Sequence, residues 1–435
     1  MSHGNDYAGP LDPAFDLGDL SRPALARLGR EFMLCAMMHD RALLPPIGRR
    51  FGPDAMTDVA VDEWTGSSPI YNERNRRQLG IEGDGVSAIL KGLQLDIGAP
   101  HQFLDFQFEL VNEELGYFWL PYCGAYEYVR DLSRGNEKAI VQLCHHMEDM
   151  TFDATVMAVN GRARCTPEHR PPLARDHSGP MCRWKVSIDH AHEAVPEREI
   201  TQQVRGSRAA QFEWDPIQSI EGEGLGDYAG EFKPDFALED LSHPVLVRQC
   251  KEFALDLHLL VRASYASIAG RWGPATMREI ARIHWASMAP VYVARIRKAL
   301  SMEGDGMDAI LKMLQLDPCF PPGYVRMGVE RIDDRRGRFW LEDCEALRDQ
   351  GPRAFLELLS DPEAPGFDAV VASVNPHARV RPIPPETPGG GAAHAECAWE
   401  IEIDENTEPW EEPPGTALVR SNVMNFRMHS RPVSR

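Results

Sequence analysis

The hydrophobic pattern at the start of the chain has helical spacing. Residues 22–50 place Leu25 and Phe32 on one face, and Ser21 can cap the first turn of this helix. The segment GPDAM at 52–56 begins a second helix, because proline and aspartate suit a helix start. A third, short helix is predicted after EGDG, whose glycines lack the spacing and the lysine of a phosphate-binding loop, so we assign them a turn-and-cap role.

The period of the pattern changes after about residue 100. Between 101 and 123, Leu104, Phe106 and Phe108 alternate with polar residues, which is typical of antiparallel strands. The later segments follow both patterns, with helix at 137–143 and 152–160 and strand at 181–189. N-terminal helices followed by a mixed, mainly antiparallel sheet with helices predict an α+β fold.

The chain also contains a second copy of this pattern. At a shift of 221 residues, DLSRPALARLGREF meets DLSHPVLVRQCKEF and EGDGVSAILKGLQLD meets EGDGMDAILKMLQLD. Further along, the shift falls to 215, where FDATVMAVN meets FDAVVASVN. The sequence therefore predicts two tandem homologous domains, packed as an intramolecular pseudo-dimer. We place them at 1–214 (N-terminal repeat) and 236–435 (C-terminal, degenerate repeat), with a Gly- and acid-rich linker at 215–235.

Composition and charge exclude several classes of partner. The chain is 43% hydrophobic, as is usual for a globular protein, and its net charge is −20. This charge argues against nucleic acid and against anionic membrane surfaces, since both require concentrated Lys and Arg. The N-terminus has no signal-peptide pattern, no apolar run is long enough to cross a membrane, and the nine cysteines are scattered. We therefore expect a cytoplasmic protein with free or metal-bound thiols.

One short segment concentrates reactive groups. Residues 144–149 read Cys-His-His-Met-Glu-Asp, and in the second copy the shift of 215 replaces most of them with Leu-Ser-Asp-Pro-Glu-Ala. A fold that tolerates their loss does not need them. We therefore predict that the N-terminal repeat holds the functional centre, with five candidate catalytic residues: Cys144, His145, His146, Glu148 and Asp149.

Two local geometries are compatible with this segment. The pattern SDPE at 360–363 in the second copy suggests that Cys144 and His145 precede a helix N-terminus, whose dipole would stabilise a thiolate. Alternatively, one helix runs through 137–158 and places Cys144 beside Glu148. Either geometry collects a thiol, an imidazole and a carboxylate.

Two chemistries are compatible with these groups. Cys144 can be a nucleophile with a neighbouring histidine as base. Otherwise a transition metal such as zinc or iron can bind there, and five residues could supply its ligands: Cys123, Cys144, His146, His169 and Cys182. Neither arrangement has a C-x-x-C or H-E-x-x-H signature.

Three short pieces resemble the L-2-amino-thiazoline-4-carboxylic acid hydrolase-like family. The first piece, FWLPYC, ends with Cys123. The second, CHHMED, begins with Cys144, and the third, CRW, begins with Cys182. The resemblance implies hydrolysis of a C–N or C–S bond in a small ring, with Asp149 as a fourth matching position. The doubled histidine departs from the family's pattern, so its substrate is not carried over.

These observations predict a small-molecule enzyme, hydrolase-like and either thiol- or metal-dependent. The alternative is a non-catalytic protein that binds a metal or small ligand through the same residues. The substrate and any homo-oligomer stay open.

Overall fold

The computed structural model describes residues 7–174, 177–217, 223–359, 365–383 and 397–426. The N-terminal half begins with three helices, α1 (Arg22–Phe51), α2 (Pro53–Gln78) and α3 (Val86–Leu93). They are followed by the hairpin β1 (Gln107–Asn112) and β2 (Leu115–Leu120), and by α4 (Gly124–Ser133), α5 (Glu137–Val141) and α6 (Glu148–Met157). The last elements of this half are β3 (Ala163–His169), β4 (Cys182–Ile188), α7 (Glu199–Arg205) and α8 (Arg208–Gln211).

The C-terminal half has a similar order of elements. It comprises α9 (His243–Ala299), α10 (Met307–Gln315), β5 (Met327–Arg331), β6 (Arg336–Leu341), α11 (Pro365–Ala372), β7 (Ala378–Pro382), β8 (Cys397–Ile403) and α12 (Gly415–Arg420). Two 3₁₀ turns, Glu345–Arg348 and Ala354–Leu358, lie where the N-terminal half has α4 and α5. The predicted α+β fold is confirmed.

Each half contains one four-stranded antiparallel sheet. The strand orders are β1-β2-β4-β3 and β5-β6-β8-β7, and Phe118 faces Trp184 across the first sheet as Phe339 faces Trp399 across the second. The long helix α9 corresponds to α1 and α2 together. It breaks at Gly273, whose φ of 84° matches the 94° of Gly52 between α1 and α2. Only glycine adopts such an angle without strain, so the same turn separates the helices in both halves.

The two halves share one hydrophobic core in which α1 and α2 pack on α9. Two buried ion pairs cross between the halves. Arg74 donates to Glu252 at 2.5 and 3.0 Å, and Arg295 donates to Glu31 at 2.6 and 3.0 Å. Each residue lies 221 positions from its counterpart in the other pair, so the contacts are reciprocal, as in an isologous dimer interface. The duplication itself stays an inference from the sequence.

The SDPE segment at 360–363, which suggested a helix N-terminus at Cys144, lies outside the described residues. None of the described helices is long and apolar enough to span a membrane.

Candidate functional site

The segment around Cys144 forms part of one continuous helical run. A π-helical stretch, Gln142–Met147, joins α5 directly to α6. The predicted helix N-terminus at Cys144 is therefore wrong, and the alternative of one helix through this region is confirmed. Isolated π turns are rare and occur frequently at functional sites.

The cysteines of the predicted site are buried and electrostatically disfavoured as thiolates. Burial, and to a smaller extent the neighbouring carboxyl of Glu148, raise the pKa of Cys123 to about 12. Burial and then Glu148 also raise the pKa of Cys144, and the same two causes act on Cys182. Reactive cysteines lie in electropositive, accessible surroundings. Cys144 is buried and lies near the Glu148 carboxyl, so its surroundings disfavour an activated thiolate.

The histidines and the aspartate of the predicted site are engaged elsewhere. His145 Nε2 lies 2.8 Å from the carbonyl oxygen of Pro171, and His146 is exposed. His169 Nε2 lies 3.1 Å from the carbonyl oxygen of Pro180. Asp149 forms an ion pair with Arg170 at the surface.

The predicted cysteine–histidine–acid centre is consequently not assembled. Within the described ranges, no hydrogen bond joins Cys144 to His145 or His146. All nine cysteines are free of disulfides.

A cavity of about 280 Å³ lies in the N-terminal half, between α1, α2 and the α4–α6 segment. Its walls are mostly apolar and include Trp64 and Phe106, with the exposed Leu132 among the lining side chains. Glu148 lines it, whereas the other residues predicted for the site do not. Such a volume accommodates a small organic molecule, and a mostly apolar wall with a few polar groups is typical of small-molecule sites.

Two residues that line this cavity carry three buried hydrogen-bond donors without a partner among the described residues. Arg41, on α1, is buried and donates from Nη1 to the carbonyl oxygen of Met37, but in the described part of the chain its Nε and Nη2 atoms have no hydrogen-bond partner. The buried hydroxyl of Tyr128 likewise has none there. The Arg41 guanidinium lies 4.3 Å from the centre of the Tyr128 ring and 4.9 Å from that of Phe103. Buried donors without partners are costly, so an unfilled set at a cavity indicates a ligand site.

The corresponding arginine of the C-terminal half has its own carboxylate. Arg262 lies 221 residues after Arg41 and donates to Asp349 from Nη1 at 2.8 Å. The Tyr324 hydroxyl donates to the same carboxylate, also at 2.8 Å. An arginine and a tyrosine thus surround a carboxylate in the C-terminal half, while the N-terminal half has the arginine and a tyrosine without one.

The space that forms the cavity is also filled in the C-terminal half. The segment from Leu341 to Phe367 is six residues shorter than the corresponding segment from Leu120 to Phe152. Phe355 within the shorter segment packs against Trp285, with ring centres 5.4 Å apart, and Trp285 is fully buried. Its counterpart, Trp64, is partly exposed and lines the cavity. The cavity in the N-terminal half thus lies beside the longer segment, which contains the π turn.

Glu148 is one of three acids that line this cavity, together with Asp40 and Asp96. The pKa of the Glu148 carboxyl group is raised to about 8, mainly by burial. Arg170 opposes this rise and Asp149 adds to it. The carboxyl group therefore keeps its proton at neutral pH, which is the state that a general acid requires.

The substitution Glu148→Gln should change how stability depends on pH. Between the ordinary pKa of glutamate, about 4.3, and a folded pKa of about 8, the unfolded chain releases this proton and the folded chain keeps it. The wild type therefore loses stability as pH rises through that window, and the glutamine variant does not. We expect the variant to match the wild type at pH 4 and to be more stable by up to roughly 5 kcal/mol at pH 8.5, because each pKa unit between the two states corresponds to about 1.4 kcal/mol.

Urea unfolding at several pH values measures this difference. Glu137→Gln, an exposed acid on the same helical run, is the control. A stability difference between Glu148→Gln and the wild type that stays constant with pH would contradict the assignment.

A cluster of three ionisable side chains, His39, Asp40 and Glu63, lies beside the cavity, and Asp40 is the member that lines it. His39, Asp40 and Glu63 each offer a ligand atom, and these atoms lie within 4.8 Å of one another. The residues predicted to bind metal (Cys123, Cys144, His146, His169 and Cys182) do not form such a group, and His39–Asp40–Glu63 is the one group of this kind in the described part of the chain. Burial lowers the pKa of His39 to about 4 and raises that of Glu63 to about 8.

The sequence analysis missed both Arg41 and the His39–Asp40–Glu63 group. They lie on α1 and α2, in positions that helical spacing assigns to the core. A signal was present in the comparison of the two copies, since Leu260, Val261 and His284 stand at the positions corresponding to His39, Asp40 and Glu63.

Comparisons with known proteins find no matching family model, no matching curated protein and no matching solved structure.

Proposed function

We propose that the N-terminal half is a small-molecule enzyme whose cavity binds a compact, largely apolar molecule bearing one carboxylate. The observation that carries this proposal is Arg41, a buried residue of the cavity wall whose Nε and Nη2 atoms have no hydrogen-bond partner in the described ranges. These two N–H groups are suited to a bidentate contact with the two oxygens of a carboxylate. The Tyr128 hydroxyl is a third donor for the same group.

The second half supports the choice of a carboxylate. In the C-terminal half, the corresponding arginine, Arg262, donates to the carboxylate of Asp349, which also accepts from the hydroxyl of Tyr324. A bound ligand carboxylate would give Arg41 the interaction that the protein itself supplies to Arg262. A phosphate would require more donors than this mostly apolar cavity provides.

Glu148 is the residue we assign to the reaction. Its protonated carboxyl lines the cavity and can donate to an oxygen or nitrogen that leaves the bound molecule. This is the role of a general acid in a hydrolase-like reaction. The raised pKa of Cys144 and its absence from the cavity wall argue against a thiol nucleophile, so the resemblance to ring-opening hydrolases supports the reaction class and not the cysteine.

Thermal shift with matched acids and amides tests the proposal. We expect phenylacetate, 4-methylpentanoate or octanoate to raise the Tm of the wild type, while the corresponding primary amides do not. Arg41→Met should abolish the shift, and Tyr128→Phe should reduce it, because an arginine–carboxylate contact contributes more than one hydroxyl. If the acids and amides shift Tm equally, or Arg41→Met retains the shift, the proposal fails.

A further inference from the structure

Three side chains at the interface of α1, α2 and α9 form a compact group of metal-ligand types. His39 and Glu63 are fully buried, and His39 Nε2 lies 3.3 Å from Glu63 Oε2. Asp40 completes the group, with all three ligand atoms within 4.8 Å of one another. Ligands at about 2.1 Å from a central ion are separated by roughly 3 to 4.2 Å, so a small inward movement of these side chains would complete a first shell.

The two carboxyl groups of this group lie next to each other. Glu63 Oε1 and Asp40 Oδ1 are buried and accept no hydrogen bond from a donor group in the described part of the chain, and the Asp40 and Glu63 carboxyls are close enough to hydrogen-bond each other through a shared proton. A bound cation would displace this proton and balance the charge of the two adjacent acids. Ser264 donates to the other oxygen, Glu63 Oε2, at 2.8 Å and thereby orients the carboxylate.

The surroundings of His39 resemble the support that metal-binding histidines require. His39 Nδ1 lies 2.9 Å from His284 Nε2, and His284 Nδ1 lies 2.9 Å from the Tyr265 hydroxyl. A ligating histidine is usually held by a hydrogen bond at its other ring nitrogen, which fixes the tautomer and the ring orientation. In this arrangement His39 Nε2 faces Glu63, and the ion would replace the contact of Nε2 with Ser264, now 2.9 Å.

We propose that His39, Asp40 and Glu63 bind one divalent first-row transition ion beside the N-terminal cavity, which Asp40 lines. One imidazole and two carboxylates suit Mn²⁺, Fe²⁺ or Zn²⁺. Asp40 also lines the cavity beside Arg41, so an ion there would reach the bound molecule and act as a Lewis acid on it. That role rests on the proposed function, whereas binding of the ion does not.

The C-terminal half lacks this group. Leu260 and Val261 replace the histidine and the aspartate, and His284 replaces the glutamate and instead supports His39 across the interface. The full chain should therefore bind one ion and not two.

Metal analysis of the full chain tests the proposal. Protein produced without a histidine tag is stripped with a chelator and dialysed against Zn²⁺ or, separately, Co²⁺. We expect one ion per chain in the wild type, and at least a 100-fold weaker Kd in Glu63→Gln. Bound Co²⁺ should show visible d–d absorption that disappears in the same variant.

Two further variants keep the result interpretable. Glu63→Gln preserves the size of the side chain and can still accept from Ser264, so its Tm shows whether the fold is kept. Asp317→Asn removes another buried carboxyl, one that accepts from the Cys319 amide at 2.9 Å and lies outside the group, and it should retain the ion. If Glu63→Gln unfolds, His39→Gln replaces it.

Either of two results would overturn the site. One is a wild type that binds no stoichiometric Zn²⁺ or Co²⁺. The other is a folded Glu63→Gln or His39→Gln that binds as the wild type does. Arg41→Met should still bind the ion, and metal-stripped wild type should still bind the carboxylates, so failure of this proposal and failure of the carboxylate site give different results.

Discussion

Replacing Arg41 with methionine is expected to leave the free energy of unfolding unchanged or to raise it by about 1 to 2 kcal/mol, whereas Arg262→Met should lower it by about 3 kcal/mol. Both arginines are buried and occupy corresponding positions. They differ because Arg262 is paired with Asp349 and Arg41 lacks a carboxylate partner.

The physical reason is the cost of a buried charge. Loss of Arg262 leaves Asp349 as a buried, uncompensated carboxylate, and breaking a buried pair in this way is strongly destabilising. Loss of Arg41 removes a buried cation that pairs with no protein carboxylate, and this gain is offset only by its contacts with the rings of Phe103 and Tyr128. Residues kept for function often lower stability in this manner.

Urea unfolding of the wild type and the two variants, without added ligand, measures the contrast. Arg262→Met/Asp349→Leu is the control, since removing both partners should restore part of the loss. A similar loss of stability in Arg41→Met and Arg262→Met would mean that Arg41 is a structural residue and not a ligand contact.

The second large effect concerns the ion pairs between the halves. Glu252→Gln is expected to lower the free energy of unfolding by about 4 kcal/mol, because Arg74 is left as an unpaired buried cation. Glu252 is fully buried and also accepts from Trp214 Nε1 at 2.5 Å and from Gln78, so one substitution disturbs a connected network.

Its counterpart provides the matched comparison. Glu31 pairs with Arg295, whose side chain is 10% exposed, and we expect a smaller loss for Glu31→Gln because water can reach Arg295. The double variant Arg74→Met/Glu252→Met should recover much of the stability lost in Glu252→Gln. If Glu252→Gln stays within 1 kcal/mol of the wild type, the reciprocal pairs do not hold the halves together.

Periodicity in the sequence was sufficient to predict the α+β fold, because the apolar spacing of α1 and the alternation in β1–β2 depend on local patterns. The comparison of the two copies directed attention to the segment at 144–149. It could not decide between a helix N-terminus at Cys144 and one continuous helix, since that depends on packing against α2.

The candidate site was only partly predictable for a related reason. Of the residues predicted for the site, Glu148 lines the cavity. The sequence could not show this, because the position of Glu148 relative to α1 and α2 depends on tertiary structure. The residue that corresponds to Arg41 in the second copy, Arg262, is also an arginine, so a comparison of the two copies cannot distinguish their roles. Only the partner differs, and Asp349 is 87 residues away from Arg262 along the chain.

Isothermal titration calorimetry in a thermodynamic cycle tests the central claim most directly. The wild type and Arg41→Met are each titrated with the carboxylate that gives the largest thermal shift and with its primary amide. One loss of binding free energy comes from Arg41→Met and the other from replacing the carboxylate with the amide. If Arg41 contacts the carboxylate, these two losses should not add, and we predict a coupling free energy of at least about 2 kcal/mol. Losses that simply add, with the coupling near zero, would show that the carboxylate does not bind at Arg41 and would contradict the account.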